Sequence, residues 1–122
     1  MLNRENFNIK SLAYNEYSYA NPGNKFYYDY TSSGGTLLYT DFFEIYGTKT
    51  AEIKDNNIFS KRIYNIIKEW KRNYESEALL FESLLWDLKI ELADSTSYRF
   101  RGQHKTPENF NDLVNCLKSY CE

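Results

Sequence analysis

The pattern of apolar and polar positions is clearest in the last third of the chain. Trp86, Leu88, Ile90 and Leu92 alternate with Asp87, Lys89 and Glu91, the period of a half-buried strand. Asp94-Ser95 breaks the run, Tyr98-Arg99-Phe100-Arg101 alternates again, and Gly102 ends it. This predicts a hairpin over residues 86–101. The period then lengthens. Phe110, Leu113, Val114 and Leu117 recur at helical spacing and predict a helix near 107–120, with Thr106 as its cap and Pro107 as its first residue.

Upstream the chain is rich in β-formers. Phe7 to Tyr19 predicts one or two short strands, blurred at Leu12-Ala13-Tyr14 and closed by the turn Asn21-Pro22-Gly23-Asn24. Lys25 to Thr31, Thr36 to Tyr46 and Lys49 to Ile53 predict an antiparallel meander with turns near 32–35 and 47–48. Phe59, Ile63, Ile66, Ile67, Trp70 and Tyr74 then recur at three and four, predicting an amphipathic helix over 58–73 capped by Ser60 or Asn57. Asn73 to Ser83 reads as a second short helix or a loop. The expected fold is α+β: one domain over 1–122, with an antiparallel sheet of four to six strands packed against two main helices.

Composition narrows the functional classes. A chain of 122 residues can bury a core without metals or disulfides. Twelve Tyr and eight Phe favour sheet and leave tyrosine over for the surface. A net charge of −2 gives no global pull toward nucleic acid or acidic membrane. No apolar run approaches the ~20 residues that span a bilayer, and Met1 to Asn6 lacks a signal-peptide core, so the expected location is cytoplasmic. Charge is nonetheless segregated: residues 58–75 carry five basic and two acidic groups, residues 76–98 one basic and five acidic.

The aromatic strand Phe26-Tyr27-Tyr28 before Gly34-Gly35, then Phe43-Glu44-Ile45, and later Trp86 to Ile90, Tyr98, Gly102, Pro107-Glu108-Asn109-Phe110 and Leu113, form a recurring order. It resembles small uncharacterised bacterial α+β proteins with a Trp-led strand hairpin, a Gly, a Pro and a final helix, and it suggests an immunity-protein-like relationship. The resemblance covers most of the chain from about residue 25 and implies a fold rather than an activity. It departs at Asp94-Ser95-Thr96, where such proteins usually carry an Asp-Gly turn.

Candidate chemistry is sparse. His104 is the single histidine, in the loop Gly102-Gln103-His104-Lys105, with no Ser-His-Asp or Cys-His spacing around it. Cys116 and Cys121 stand five apart, about 140° apart on a helix, which does not favour a bridge or a metal site. The carboxylate pairs Asp41 with Glu44, Glu75 with Glu77, and Glu91 with Asp94 match no metal or acid–base motif. The helix start at Thr106, with Arg99, Arg101 and Lys105 near it in sequence, offers a weak anion site. No glycine-rich phosphate loop is present. The expectation is therefore no enzyme, no cofactor and no metal.

The tyrosine surplus remains. In Lys25 to Thr31, alternation puts Phe26, Tyr28 and Tyr30 on one face and Tyr27 on the other. Either both sheet faces are covered, or one exposes rings beside acidic groups. Tyr27, Tyr28, Asp29, Tyr30, Asp41 and Glu44 are the candidate partner-binding residues. The expected function is a non-enzymatic protein-binding module, an inhibitor or immunity protein that masks a bacterial toxin or other basic partner. The Asn-, Lys- and Tyr-rich composition, like that of AT-rich mobile defence genes, adds to that expectation. The alternative is a nucleic-acid-binding regulator that uses Lys61, Lys68 and Arg72 on helix 58–73.

Overall fold

The structure is a computed structural model that describes residues 7–17, 22–41, 48–75, 85–103 and 105–121; the side chains of Pro22, Asp41 and Glu75 lie outside the described set. The order of elements is β1 (Ile9–Tyr17), β2 (Pro22–Thr31), β3 (Gly34–Asp41), β4 (Thr48–Ile53), α1 (Asn56–Ile67), β5 (Asn73–Glu75), β6 (Leu85–Leu92), β7 (Ser97–Gln103) and α2 (Phe110–Tyr120). The strands form one seven-stranded sheet in the order β4-β3-β2-β1-β6-β7-β5. All pairings are antiparallel except β5 with β7. The α+β class is as expected. The sheet exceeds the expected four to six strands because Asn73–Glu75 adds a three-residue strand too short to show alternation. No described helix is long and apolar enough to cross a membrane.

Both helices pack on one face of the sheet. Tyr14, Phe26, Tyr28, Leu37, Leu88 and Ile90 are buried beneath them. The Tyr28 ring meets Phe59 of α1 at 4.3 Å between centroids, and Tyr14 meets Phe110 of α2 at 6.1 Å. At the other end Trp86 of β6 packs on Phe110 at 5.0 Å and edge-on to Trp70 at 5.6 Å. Such aromatic pairs add about 0.5–1.5 kcal/mol each beyond the area they bury.

Several boundaries differ from the sequence pattern for local reasons. β1 runs unbroken, but its pairing with β6 shifts between Ile9 and Ser11. The irregularity puts Ile9 and Leu12 on the same buried side, three positions apart, which is why alternation blurs there. The Ser60 hydroxyl accepts the Ile9 N–H at 2.9 Å from beneath, so Ser60 ties α1 to β1 and does not cap the helix. Asp55 is the cap, accepting the Ile58 N–H at 3.1 Å. The expected turn at Asn21 to Asn24 gives way to strand from Pro22 onward, and the stretch Phe42 to Gly47 lies outside the described residues.

Helix α1 ends at Ile67 rather than 73. Trp70 reaches the core through the turn after the helix, where its N–H bonds to the Ile67 carbonyl at 2.9 Å. Helix α2 starts at Phe110, because Pro107 to Asn109 form a turn in which the Phe110 N–H reaches the Pro107 carbonyl. Asn109 stands at the cap position, but its side chain bonds elsewhere. Its Oδ1 accepts the Trp70 indole N–H at 2.6 Å and its Nδ2 donates to the Ile66 carbonyl at 2.7 Å. In the β6–β7 turn Ser95 takes φ 71°, the left-handed conformation an Asp-Gly turn would give to glycine. The Asp94 carboxylate accepts the Thr96 N–H at 3.0 Å, and bonds from Thr96 hold its pKa below the usual carboxylate range.

Candidate partner-binding surface

The second face of the sheet is covered by no helix or strand among the described residues, and alternation decides what it carries. Pairing aligns its side chains in rows across the strands, with rows on one face about 7 Å apart. One row reads Glu52, Thr36, Asp29, Ser11, Glu91, Ser97. The next reads Thr50, Leu38, Tyr27, Ala13, Lys89, Arg99. The third reads Thr48, Thr40, Lys25, Asn15, Asp87, Arg101. An acidic band thus lies beside a band that is apolar over β1–β3 and cationic over β6–β7.

Tyr27 and Leu38 lie directly opposite each other on β2 and β3, 47 % and 38 % exposed. One of two shallow depressions on this face adjoins them, and the two share Asn15. One of about 270 Å³ is lined by Ala13, Lys25, Tyr27, Leu38 and Thr40. The other, about 320 Å³, is lined by Tyr17, Leu85, Asp87, Arg99, Arg101 and Gln103. Arg99 donates to the Asp87 carboxylate at 2.8 Å, and Lys10 stands 3.9 Å from Glu91.

The structure divides the six candidate residues. Tyr27 and Asp29 occupy the open face, and Tyr30 is exposed near the end of β2. Tyr28 does not belong to the surface: it is fully buried on the helix side, and its hydroxyl donates to Asn56 Oδ1 at 2.6 Å. Burial, with Tyr30, Tyr120 and Asp29 adding to it, pushes its pKa up to about 12. The reason is alternation itself, since Tyr27 and Tyr28 are neighbours on one strand. Glu44 and the Asp41 side chain lie outside the described residues. Leu38, Lys89, Arg99, Arg101 and the 53 % exposed Tyr17 belong to this face and are not among the six partner-binding candidates. The opposition of Lys89 to Arg99 across the hairpin was the available signal for the cationic part.

Tyr14 donates to the Glu16 carboxylate at 2.7 Å; the Asn24 backbone N–H reaches the other oxygen at 3.0 Å, and the Asn24 side-chain amide also donates to it. Tyr39 donates to Asn24 Oδ1 at 2.6 Å, so this buried edge is a hydrogen-bonded clamp rather than a site. Burial, then the Glu16 charge, raises the Tyr14 pKa. Cys116 is buried in α2 and Cys121 half-buried at its end, both unbridged, with burial raising each thiol. His104 lies outside the described residues. Arg99 and Arg101 project from the face opposite the helices, so they do not converge on the start of α2 as an anion site requires. No cluster of three or more metal-ligating side chains exists among the described residues. Lys61 and Lys68 are exposed, but Arg72 lies beyond the end of α1, so the basic stripe is not a continuous helix face.

Comparison with protein-family models, with curated proteins and with solved structures found no match.

Proposed function

We propose that this protein is a non-enzymatic protein-binding module, and in its concrete form a cytoplasmic inhibitor or immunity protein that masks a bacterial toxin with the uncovered face of its sheet. The observation that carries the proposal is the pair Tyr27 and Leu38, exposed opposite each other on a sheet face that no described element covers. Exposed tyrosine and arginine around apolar contacts is the composition of binding hot spots. The small size of the chain fits the same role. Inhibition would be steric: the face lies over the partner's active surface and contributes no chemistry.

The test is co-expression with the products of the adjacent genes. A complex retained on purification, and lost in Tyr27→Glu and Leu38→Glu, is expected. The proposal fails if neither neighbour nor any host protein is retained by the wild type.

Exposure of Lys61, Lys68 and Arg72 supports a second reading, a nucleic-acid-binding regulator. Its affinity for single and double strands would fall steeply with salt and drop on charge removal at Lys68 and Arg72.

A further inference from the structure

We infer that the partner of the open face presents acidic side chains to β6 and β7 and apolar side chains to β2 and β3. This rests on the reading of that face as a protein-binding surface and adds the partner's chemistry to it, acidic over β6 and β7 where the chain's composition led to the expectation of a basic partner. Lys89 and Arg99 stand directly opposite each other on β6 and β7, and Arg101 follows in the next row. Like charges directly opposite on a sheet are destabilising unless something offsets them. Asp87 is the one carboxylate among the three: it lies opposite Arg101 in the register and contacts Arg99 at 2.8 Å, so one negative charge faces three positive ones. Lys89 and Arg101 are exposed; the Arg101 Nε makes a long, 3.3 Å bond to the Asn73 amide oxygen, which brings no opposing charge. Arg99 and Arg101 line the depression of about 320 Å³ beside Tyr17 and Gln103. The place for anionic groups is therefore concave, partly aromatic and contiguous with Tyr27.

The same geometry selects a protein over a nucleic acid. The cationic patch is bounded by Asp87 on one side and by the row of Glu52, Asp29 and Glu91 on the other. A phosphate backbone crossing the sheet would meet those carboxylates within about two residues of the cations, whereas discrete Asp or Glu side chains need reach only Lys89, Arg99 and Arg101. The acidic row has a second effect: it penalises a partner turned end for end, so charge fixes the docking direction.

The test is amide-shift mapping on the full-length, isotope-labelled protein with three probes at physiological salt: an eight-residue alternating Glu–Tyr peptide, its Lys–Tyr counterpart and a twelve-nucleotide single-stranded oligouridine. The Glu–Tyr peptide is expected to shift Asn15, Lys89, Arg99 and Arg101. Its affinity is expected to fall at least tenfold in Lys89→Glu/Arg101→Glu and by less in Tyr27→Ala. The inference is overturned if the Lys–Tyr peptide or the oligonucleotide binds this patch as well or better, if the charge reversals leave affinity unchanged, or if no probe shifts these residues. Shifts confined to Tyr27 and Leu38 with the Lys–Tyr peptide would overturn the charge assignment while leaving the protein-binding face intact. Failure of the protein-binding reading itself is reported by the co-expression experiment.

Discussion

Tyr27 and Tyr28 are consecutive in β2 and face opposite sides of the sheet: Tyr28 lies sealed under Phe59 of α1, and Tyr27 lies open beside Leu38. One peptide bond therefore separates a structural ring from a surface ring. Tyr28→Ala should cost about 3–5 kcal/mol, the range for removing a buried aromatic ring. Tyr27→Ala should stay within about 1 kcal/mol, the scale of one cross-strand pair. Urea denaturation of the two variants checks the contrast, and the partner-binding assay should show the reverse order for any variant that folds.

Asn109 links three elements at once. Asn109→Leu keeps the branched outline of the side chain but leaves the Trp70 indole N–H and the Ile66 carbonyl without their partner. An unsatisfied buried polar group costs about 1–3 kcal/mol. The variant should lose about 2–4 kcal/mol of unfolding free energy, with a change in tryptophan fluorescence as Trp70 shifts against Trp86.

Gly102 lies where β7 passes under Trp86. A methyl group there would run into the Trp86 indole nitrogen and the Lys105 carbonyl, the two partners of a 2.9 Å hydrogen bond. Gly102→Ala should therefore destabilise by about 1–3 kcal/mol, as overpacking does. Gly34→Ala is a useful comparison because its cost comes from φ 115° alone, with open space around it.

Alkaline pH should unfold the protein through its buried tyrosines. The folded-state pKa of Tyr28 is raised from 10.0 to about 12, and that of Tyr14 is raised as well. Between those values the unfolded chain has released a proton that the folded chain still holds, so stability falls as pH rises. The contribution is fully present below about pH 10 and is lost toward pH 12. The urea midpoint should decline across this window, less steeply in Tyr28→Phe, while tyrosinate absorbance lags until unfolding.

The legible and illegible parts of the fold separate by physical cause. Trp86 to Leu92 showed its strand because every second residue is buried against the helices. Helical spacing over 58–73 overshoots the helix because Trp70 and Tyr74 keep that spacing while reaching the core by other routes, Trp70 through a turn and Tyr74 on β5 opposite Gly102. Spacing records which residues are buried, not the path the chain takes to bury them. The candidate surface is legible only in part for the same reason. Tyrosine serves core and surface alike, so composition could not separate Tyr28 from Tyr27 until the position of the helices was known. Nothing in the sequence marks Leu38, because an exposed leucine has the same pattern as any other apolar strand residue.

The strand order places the β6–β7 hairpin between β1 and β5, both of which precede it in the chain. The gap is filled last during synthesis. In a nascent chain that has reached residue 75, the edge of β1 that takes β6 has no neighbour, and residues 73–75 lack the β7 they pair with, until residues 85–103 emerge. A ribosome stalled in that interval, or a nonsense mutation there, leaves a chain with the β1 edge open, a template on which another chain can pair. The closing hairpin thus sets the moment at which the newborn protein stops being a hazard to its own copies.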